Sequence, residues 1–376
     1  MSRTPLQEAL GSQTTGNMVP SRVSEYCGAE TATAFSDPQA EFEALRSGCA
    51  VYDLGFRARL TVKGSDRVRW MNGMVTNNVR DLPSGHGLYA FLLNPQGRIL
   101  GDMFVYNEGD TLTVETDRSQ VEKILATFDH FIIMDDVEVT NENENWTALG
   151  VSGPNSRRIL HAVGIEVPEM EPLQVVTPQC VCDCDCAKCV VVRGEEAQRE
   201  SYEIWLASKD VLKTWTAILS AGATPVGSEA LEMQRILGGV PRYSLDIRER
   251  DLPQETEQLR ALNFNKGCYV GQEIVERIRS RGNVHRKFSG FVLQGSPEIK
   301  AEAKIFSGEK EVGEITSVAN LHTASREQTF ALGYIRREAG VPGQEVMIND
   351  AKAVVAQLPF EKSAIGYENE SLLQQQ

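Results

Sequence analysis

The sequence predicts an α+β protein with two mixed α/β domains in succession and a small all-β domain after them. Three observations carry this. Helix-spaced apolar residues and short strand-like runs alternate through the first two thirds of the chain. The succession starts over at Trp146. After His285 only short strand-like runs with turn residues between them remain. The chain has 376 residues, enough for two or three packed domains, and its composition of 41% hydrophobic and 24% charged residues is ordinary for a globular protein. No apolar run reaches the roughly 20 residues that a bilayer requires.

In the first domain, 60–62 alternates like a strand, and Val68, Met71 and Met74 give 66–74 a helical face. Residues 88–93 and 99–106 read as strands around the turn Asn94-Pro95-Gln96-Gly97, followed by a strand over 111–115. A helix over 119–128 presents Val121, Leu125 and Phe128, and 137–140 is a further strand. In the second domain, 146–151 is a strand, Gly153-Pro154 breaks it, and 155–162 is a helix closed by Gly164. Strands over 190–193 and 202–206 precede helices over 209–220 and 228–237, the last with Leu231, Ile236 and Leu237 for burial. Residues 241–265 read as irregular, and 288–293, 303–306, 312–318, 330–335 and 346–348 as strands of the all-β domain. The boundaries expected are 37–142, completed by 241–284, then 143–240 and 285–362. No convincing internal sequence repeat accompanies the restart.

Residues 1–36 are polar and mixed, with early acids at Glu8, Glu25 and Glu30; they are expected to fray and carry neither a secretory nor a transit signature. The net charge of −14 disfavours non-specific binding to nucleic acid. Five of the eight cysteines fall between Cys180 and Cys189. Without a secretion signal they read as reduced thiols in a cytoplasm.

The segment Lys266-Gly267-Cys268-Tyr269-Val270-Gly271-Gln272-Glu273 is the most informative. Two glycines let the backbone turn tightly or approach a ligand. Ile274, Val275 and Ile278 then predict a helix from Gln272 to about Arg281. Cys268 would lie just ahead of that helix, near Lys266; both features favour thiolate. A buried, inert cysteine in a structural turn is the competing reading.

This octapeptide, with Arg277 and Arg281-Gly282 after it, resembles the signature of the YgfZ family, folate-binding relatives of the glycine-cleavage T-protein implicated in maintaining iron–sulfur enzymes. The resemblance extends through Val51-Tyr52-Asp53-Leu54, Leu149-Gly150-Val151-Ser152-Gly153-Pro154, Gly238-Gly239-Val240-Pro241-Arg242-Tyr243 and Leu358-Pro359-Phe360, covering about 40–360. It implies a T-protein-like ring of three domains, a C-terminal β-barrel, and tetrahydrofolate or a one-carbon derivative as cofactor. In Asn94 through Asp102 the T-protein pattern has an acidic pair; here Gly101 replaces the first member and Asp102 remains, expected near the reactive folate nitrogens. Tyr89 resembles a folate-contacting tyrosine, Glu203 the glutamate that reads the pterin edge, and Arg235 a folate-binding arginine. Lys266 is a further candidate ligand-binding cation, and Cys268 with Asp102 the candidate catalytic pair. On the residues alone, Glu203 and Arg235 could be surface charges and Asp102 could bind a backbone amide.

Arg277, Arg279, Arg281, His285, Arg286 and Lys287 form a basic stretch, read either as a solvated helix face or as an anion site for a folate glutamate tail. RNA ranks lower because no aromatic residues interleave. Cys180, Cys182, Cys184, Cys186 and Cys189 could bind a soft metal, although the spacing matches no paired zinc-ribbon pattern and no metal site is assigned. The leading function is a YgfZ-type folate protein serving iron–sulfur enzymes, tRNA-modifying ones included, with those proteins or their assembly factors as partners; the alternatives are a folate-dependent aminomethyltransferase, disfavoured by Gly101 and by Arg235-Ile236-Leu237-Gly238-Gly239 where T-proteins read Arg-x-Glu-x-Gly, and a cysteine-rich metal-handling scaffold.

Overall fold

The computed structural model describes residues 2–11, 19–178, 189–282, 284–295, 297–322 and 327–360. Two compact units emerge: 1–96 with 100–231 and 260–272, and 97–99 with 232–259 and 273–376.

The first unit opens with α1 (Pro5–Gly11) and the hairpin β1 (Arg22–Tyr26) and β2 (Ala29–Ala34). The expectation of a fraying N-terminus is therefore corrected. Leu6 and Leu10, one helical turn apart, are buried in a core that includes Trp215 and Ile218. Thr4 Oγ1 donates to the buried Asp53 carboxyl, and Thr31 Oγ1 donates to it at 2.9 Å. Two leucines and two hydroxyls anchor a stretch whose average composition is polar.

Next come α2 (Pro38–Ser47), capped at its start by Asp37, and β3 (Ala50–Asp53). A first run follows: β4 (Arg57–Lys63), α3 (Arg67–Met74), β5 (His86–Leu93), β6 (Ile99–Asn107), β7 (Leu112–Asp117), α4 (Val121–Phe131) and β8 (Glu138–Asn141). A second run has the same succession: β9 (Trp146–Ser152), α5 (Ser156–Ala162), β10 (Val175–Val176), β11 (Val190–Arg193), β12 (Ser201–Ala207), α6 (Val211–Ser220) and β13 (Thr224–Val226). The sheets match strand for strand. The first is ordered β5-β6-β7-β4-β8; the second is β10-β11-β12-β9-β3-β13, with β3 inserted between β9 and β13. A structural repeat exists where sequence shows no convincing one. Its trace is the turn into α3 and α5, where Gly64 and Gly153 both take positive φ, +105° and +118°. A Cβ on either glycine would meet a backbone carbonyl oxygen, at 2.0 Å and 2.5 Å.

Apolar side chains between these two sheets include Phe56, Tyr106, Val192 and Trp205. α7 (Ser228–Leu237) and α8 (Gln272–Arg281) follow, with the intervening chain irregular apart from two short 3-10 turns. In the second unit β14 (Arg286–Leu293), β15 (Lys304–Ser307), β16 (Lys310–His322), β17 (Glu327–Arg336), β18 (Glu345–Ile348) and β19 (Ala351–Ala356) close into a barrel ordered β14-β17-β16-β15-β18-β19. Phe291, Ile305, Ile315, Ile335 and Ile348 fill it. Closure pairs every strand on both sides.

Candidate functional site

The site begins with alternation on β7. Glu115 and Asp117 lie two residues apart, so both point to one face, toward Arg57 at the start of β4, the register partner of Asp117. Arg57 Nε donates to Glu115 Oε1 at 2.6 Å and its Nη1 to Asp117 Oδ1 at 2.5 Å. Burial works against the guanidinium charge, but Glu115 and Asp117 outweigh it and raise the Arg57 pKa well above its ordinary value. Tyr106 Oη donates to the other Glu115 oxygen at 3.2 Å.

On β6, Asp102 and Phe104 are half-buried alternate residues. Tyr89 Oη, from β5, donates to Asp102 Oδ2 at 2.6 Å, and Gln120 Nε2 donates to Oδ1 at 2.7 Å. Gln120 Oε1 also accepts the Asp102 N–H at 3.0 Å. This gives Gly101 a local reason: a Cβ there would lie 3.0 Å from Gln120 Oε1, so the glycine leaves room for the amide that holds Asp102. Burial, then repulsion from Asp117, raises the Asp102 pKa.

The second sheet contributes Glu203 from β12. Trp205 Nε1 donates to its Oε2 at 3.1 Å, and its carboxyl shares a hydrogen bond with Glu115. Burial, then the Glu115 charge, pushes the Glu203 pKa up to about 8. One proton shared by two carboxyls is the arrangement this requires. Arg260 lies with its guanidinium 4.2 Å from the Tyr89 ring centroid and pairs with Glu195.

Tyr89 is thus bound to Asp102, and the charge of Arg57 acts on both Asp102 and Glu203, which links the three within the first unit. Two other candidates do different work. Lys266 is buried, and its ammonium donates to the carbonyls of Asn72, Val75 and Asn77 at 2.5, 2.6 and 2.7 Å. Those are all three of its donors, so none remains for a ligand. Burial and nearby Arg80 lower its pKa to about 7, while three carbonyl acceptors favour the charged form. Arg235 lies in the second unit. Its Nε and Nη2 donate to Glu232, Nη1 to Val240 O and Asp246, and Nη2 also to Ser317 Oγ. All five guanidinium N–H groups are engaged, which corrects the reading of Arg235 as a ligand contact in this conformation.

Cys268 is exposed on the turn before α8. Only Gly271 there needs glycine's freedom, at φ +81°; Gly267 has no positive φ and open space around it. In the basic stretch, Arg286 pairs with Asp251 and Glu255. Cys180, Cys182, Cys184 and Cys186 lie outside the described residues, and Cys189 is buried. Sequence reasoning missed Arg57, Glu115, Asp117, Gln120 and Arg260. The available signal was two acids at alternate positions of a strand otherwise suited to burial.

Comparisons with known proteins agree with this architecture. The family described as GCVT N-terminal domain matches residues 6–266, and the one described as glycine cleavage T-protein C-terminal barrel domain matches residues 286–362. An aminomethyltransferase of Rubrobacter xylanophilus is 26% identical over 96% of this chain and 94% of its own. An aminomethyltransferase of Halothermothrix orenii is 26% identical over 96% and 100%. A putative chloroplastic transferase of Arabidopsis thaliana is 24% identical over 87% and 74%. Among solved structures, the glycine cleavage system aminomethyltransferase T of Bartonella henselae superimposes with a TM-score of 0.83 at 20% identity, covering 95% of this chain and 97% of that one, a likeness of fold. No helix among the described residues is long and apolar enough to cross a membrane. With an N-terminal match over more than half its length and the matching barrel after it, the chain belongs to the glycine cleavage T-protein family.

Proposed function

We propose that the chain binds a reduced folate in its first unit and uses it in one-carbon transfer of the aminomethyl type. The network joining Asp102, Tyr89, Arg57, Glu115 and Glu203 carries this reading. Similarity to aminomethyltransferases along nearly the whole chain supports the reaction class. The side chains suit the ligand. Glu203 offers a half-buried carboxyl beside Trp205 and Tyr106, and a carboxylate can accept both N–H donors of a 2-amino-4-oxopyrimidine edge. Tetrahydrofolate supplies the nucleophilic nitrogens to which a one-carbon unit is attached. Asp102, with both oxygens fixed by Tyr89 and Gln120 and its pKa raised, is placed to orient a ligand N–H and to hold its proton.

Glu203 must be ionised to accept two donors, whereas its carboxyl, paired with Glu115, holds a proton below about pH 8. Binding therefore expels a proton at neutral pH, and affinity rises with pH until about 8. Anaerobic calorimetry with tetrahydrofolate tests this. Wild type is expected to bind saturably, with a heat that changes with the buffer's ionisation enthalpy; Glu203→Ala is expected to weaken binding about tenfold or more. No wild-type binding, or equal binding by Glu203→Ala, would refute the placement. Asp102→Asn is expected to retain binding and lose transfer from an aminomethylated lipoyl donor.

A second reading, YgfZ-type support of iron–sulfur enzymes, is favoured by one observation: Cys268 is exposed within an intact signature segment. Its partners are iron–sulfur proteins or their assembly factors. Cys268→Ser should then leave folate binding unchanged and lower iron–sulfur enzyme activity in cells that depend on this protein. Full activity with Cys268→Ser would remove this reading.

A further inference from the structure

We propose that the second unit carries an anion site of its own: a groove on the β-barrel that binds the phosphate group of a small phosphorylated molecule through Arg336 and Arg250. The groove has a volume of ≈ 390 Å³, within the usual range for small-molecule sites. Arg250, Arg286, Lys304 and Arg336 line it, against the carboxylates of Glu311 and Glu314. With Asp251 and Glu255, which pair with Arg286, the nearby acids engage Arg250, Arg286 and Lys304 and leave Arg336 without a salt bridge among the described residues, in a protein whose net charge is −14.

The local acids engage three of the four lining cations. Glu314 is shared among Arg248 at 2.5 Å, Arg250 at 2.6 Å and Lys304 at 3.4 Å. Against the burial that would raise its pKa, Arg248, Arg250 and Lys304 hold it below the ordinary carboxylate value, so Glu314 stays ionised and already fully engaged. Arg286 is held by Asp251 at 2.6 Å and Glu255 at 3.1 Å, and its guanidinium lies 4.8 Å from the Tyr334 ring centroid. Arg336 stands directly opposite Arg286 in the β14–β17 pairing. Like charges directly opposite on a sheet repel. Asp251 and Glu255 balance Arg286, whereas among the described residues no salt bridge reaches Arg336. A dianion seated between the Arg336 and Arg250 guanidinium groups would give Arg336 an anionic partner, and phosphate oxygens match guanidinium forks in pairs. The barrel holds Arg336 and Arg286 on paired strands, so the positive edge is preformed rather than assembled by long flexible side chains alone.

Titration of the full chain with pyrophosphate at constant ionic strength tests the site. Saturable binding is expected, weakened about tenfold or more in Arg336→Glu and in Arg250→Ala. Arg336 is exposed at a strand end, so its replacement leaves the barrel folded, which circular dichroism would verify. Glu203→Ala, which disables the folate site proposed above, is expected to bind pyrophosphate as wild type does, so failure of one site is distinguishable from failure of the other. Absence of pyrophosphate binding, or binding untouched by both arginine variants, would overturn the proposal. Equal displacement by malonate would reassign the groove to dicarboxylates and overturn the phosphate assignment.

Discussion

Glu203 and Glu115 sit close enough to share a hydrogen bond, on facing strands of two sheets, with one Arg57 bound to the second of them. A carboxyl whose folded pKa is raised stabilises the fold fully below its unfolded value and loses that contribution as pH climbs through the folded value. For Glu203 the window runs from the ordinary 4.5 to about 8. Replacing it with glutamine removes an ionisation that the folded state resists. Glu203→Gln is therefore expected to raise the melting temperature at pH 9 by about 2–4 °C per kcal/mol recovered and to have little effect at pH 5. Scanning calorimetry at the two pH values checks this; a loss of stability at pH 9 would contradict the shared-proton account. Ligand binding would fall in the same variant, the usual opposition between stability and function at a site. Lys266 shows the reverse case. Lys266→Met leaves three buried carbonyls without their donor and is expected to destabilise the protein by several kcal/mol, with faster amide exchange around 72–77.

Short elements carry more than their composition announces. α1 has seven residues, yet Leu6 is fully buried among the core residues of the second sheet's layer. Leu6→Ala is expected to cost about 2–5 kcal/mol, read from urea denaturation. A change below about 0.5 kcal/mol would mean that the N-terminal helix does not dock in solution. α7 delivers Arg235 to a buried acid: Asp246 is fully buried and pairs with Arg235 at 2.7 Å. Arg235→Ala leaves that charge unpaired, so about 3–5 kcal/mol of stability should be lost. A variant that stayed fully stable yet lost folate affinity would return Arg235 to the ligand. On β7 the alternation that placed Glu115 and Asp117 on one face was readable in sequence, but nothing local said that the face was enclosed.

The first unit is built from one topology used twice, with β3 added to the second copy. Gly64 and Gly153 fill the same turn in each copy, and both are closed to a side chain by a backbone oxygen. Gly64→Ala and Gly153→Ala are expected to destabilise by similar amounts, about 1–3 kcal/mol each, measured by equilibrium unfolding. A large difference between them would show that the copies do not bear equivalent strain. Duplication also explains why the site lies where it does. Each sheet presents one strand face to the other, and Arg57 and Glu115 from the first meet Glu203 and Trp205 from the second.

By itself the sequence determined the fold class, because periodicity of apolar residues is a local property: Val68-Met71-Met74, the strands around Asn94 to Gly97, and the run of short strands after His285 all became elements of the predicted type. The family was legible for the same reason, since Lys266 through Glu273 and Gly153-Pro154 are contiguous motifs. Of the candidate site, Tyr89, Asp102 and Glu203 could be placed by resemblance. Tertiary structure alone decided which charges met. Arg57 and Glu115 are 58 residues apart, Lys266 and Asn72 are 194 apart, and Arg235 and Ser317 are 82 apart. A hydrogen bond depends on distance in space, and burial sets its worth; neither is encoded in the neighbourhood of a residue along the chain. That is why Lys266 and Arg235, cations in motifs that suggest a ligand, are bound instead by the protein's own carbonyls and acids.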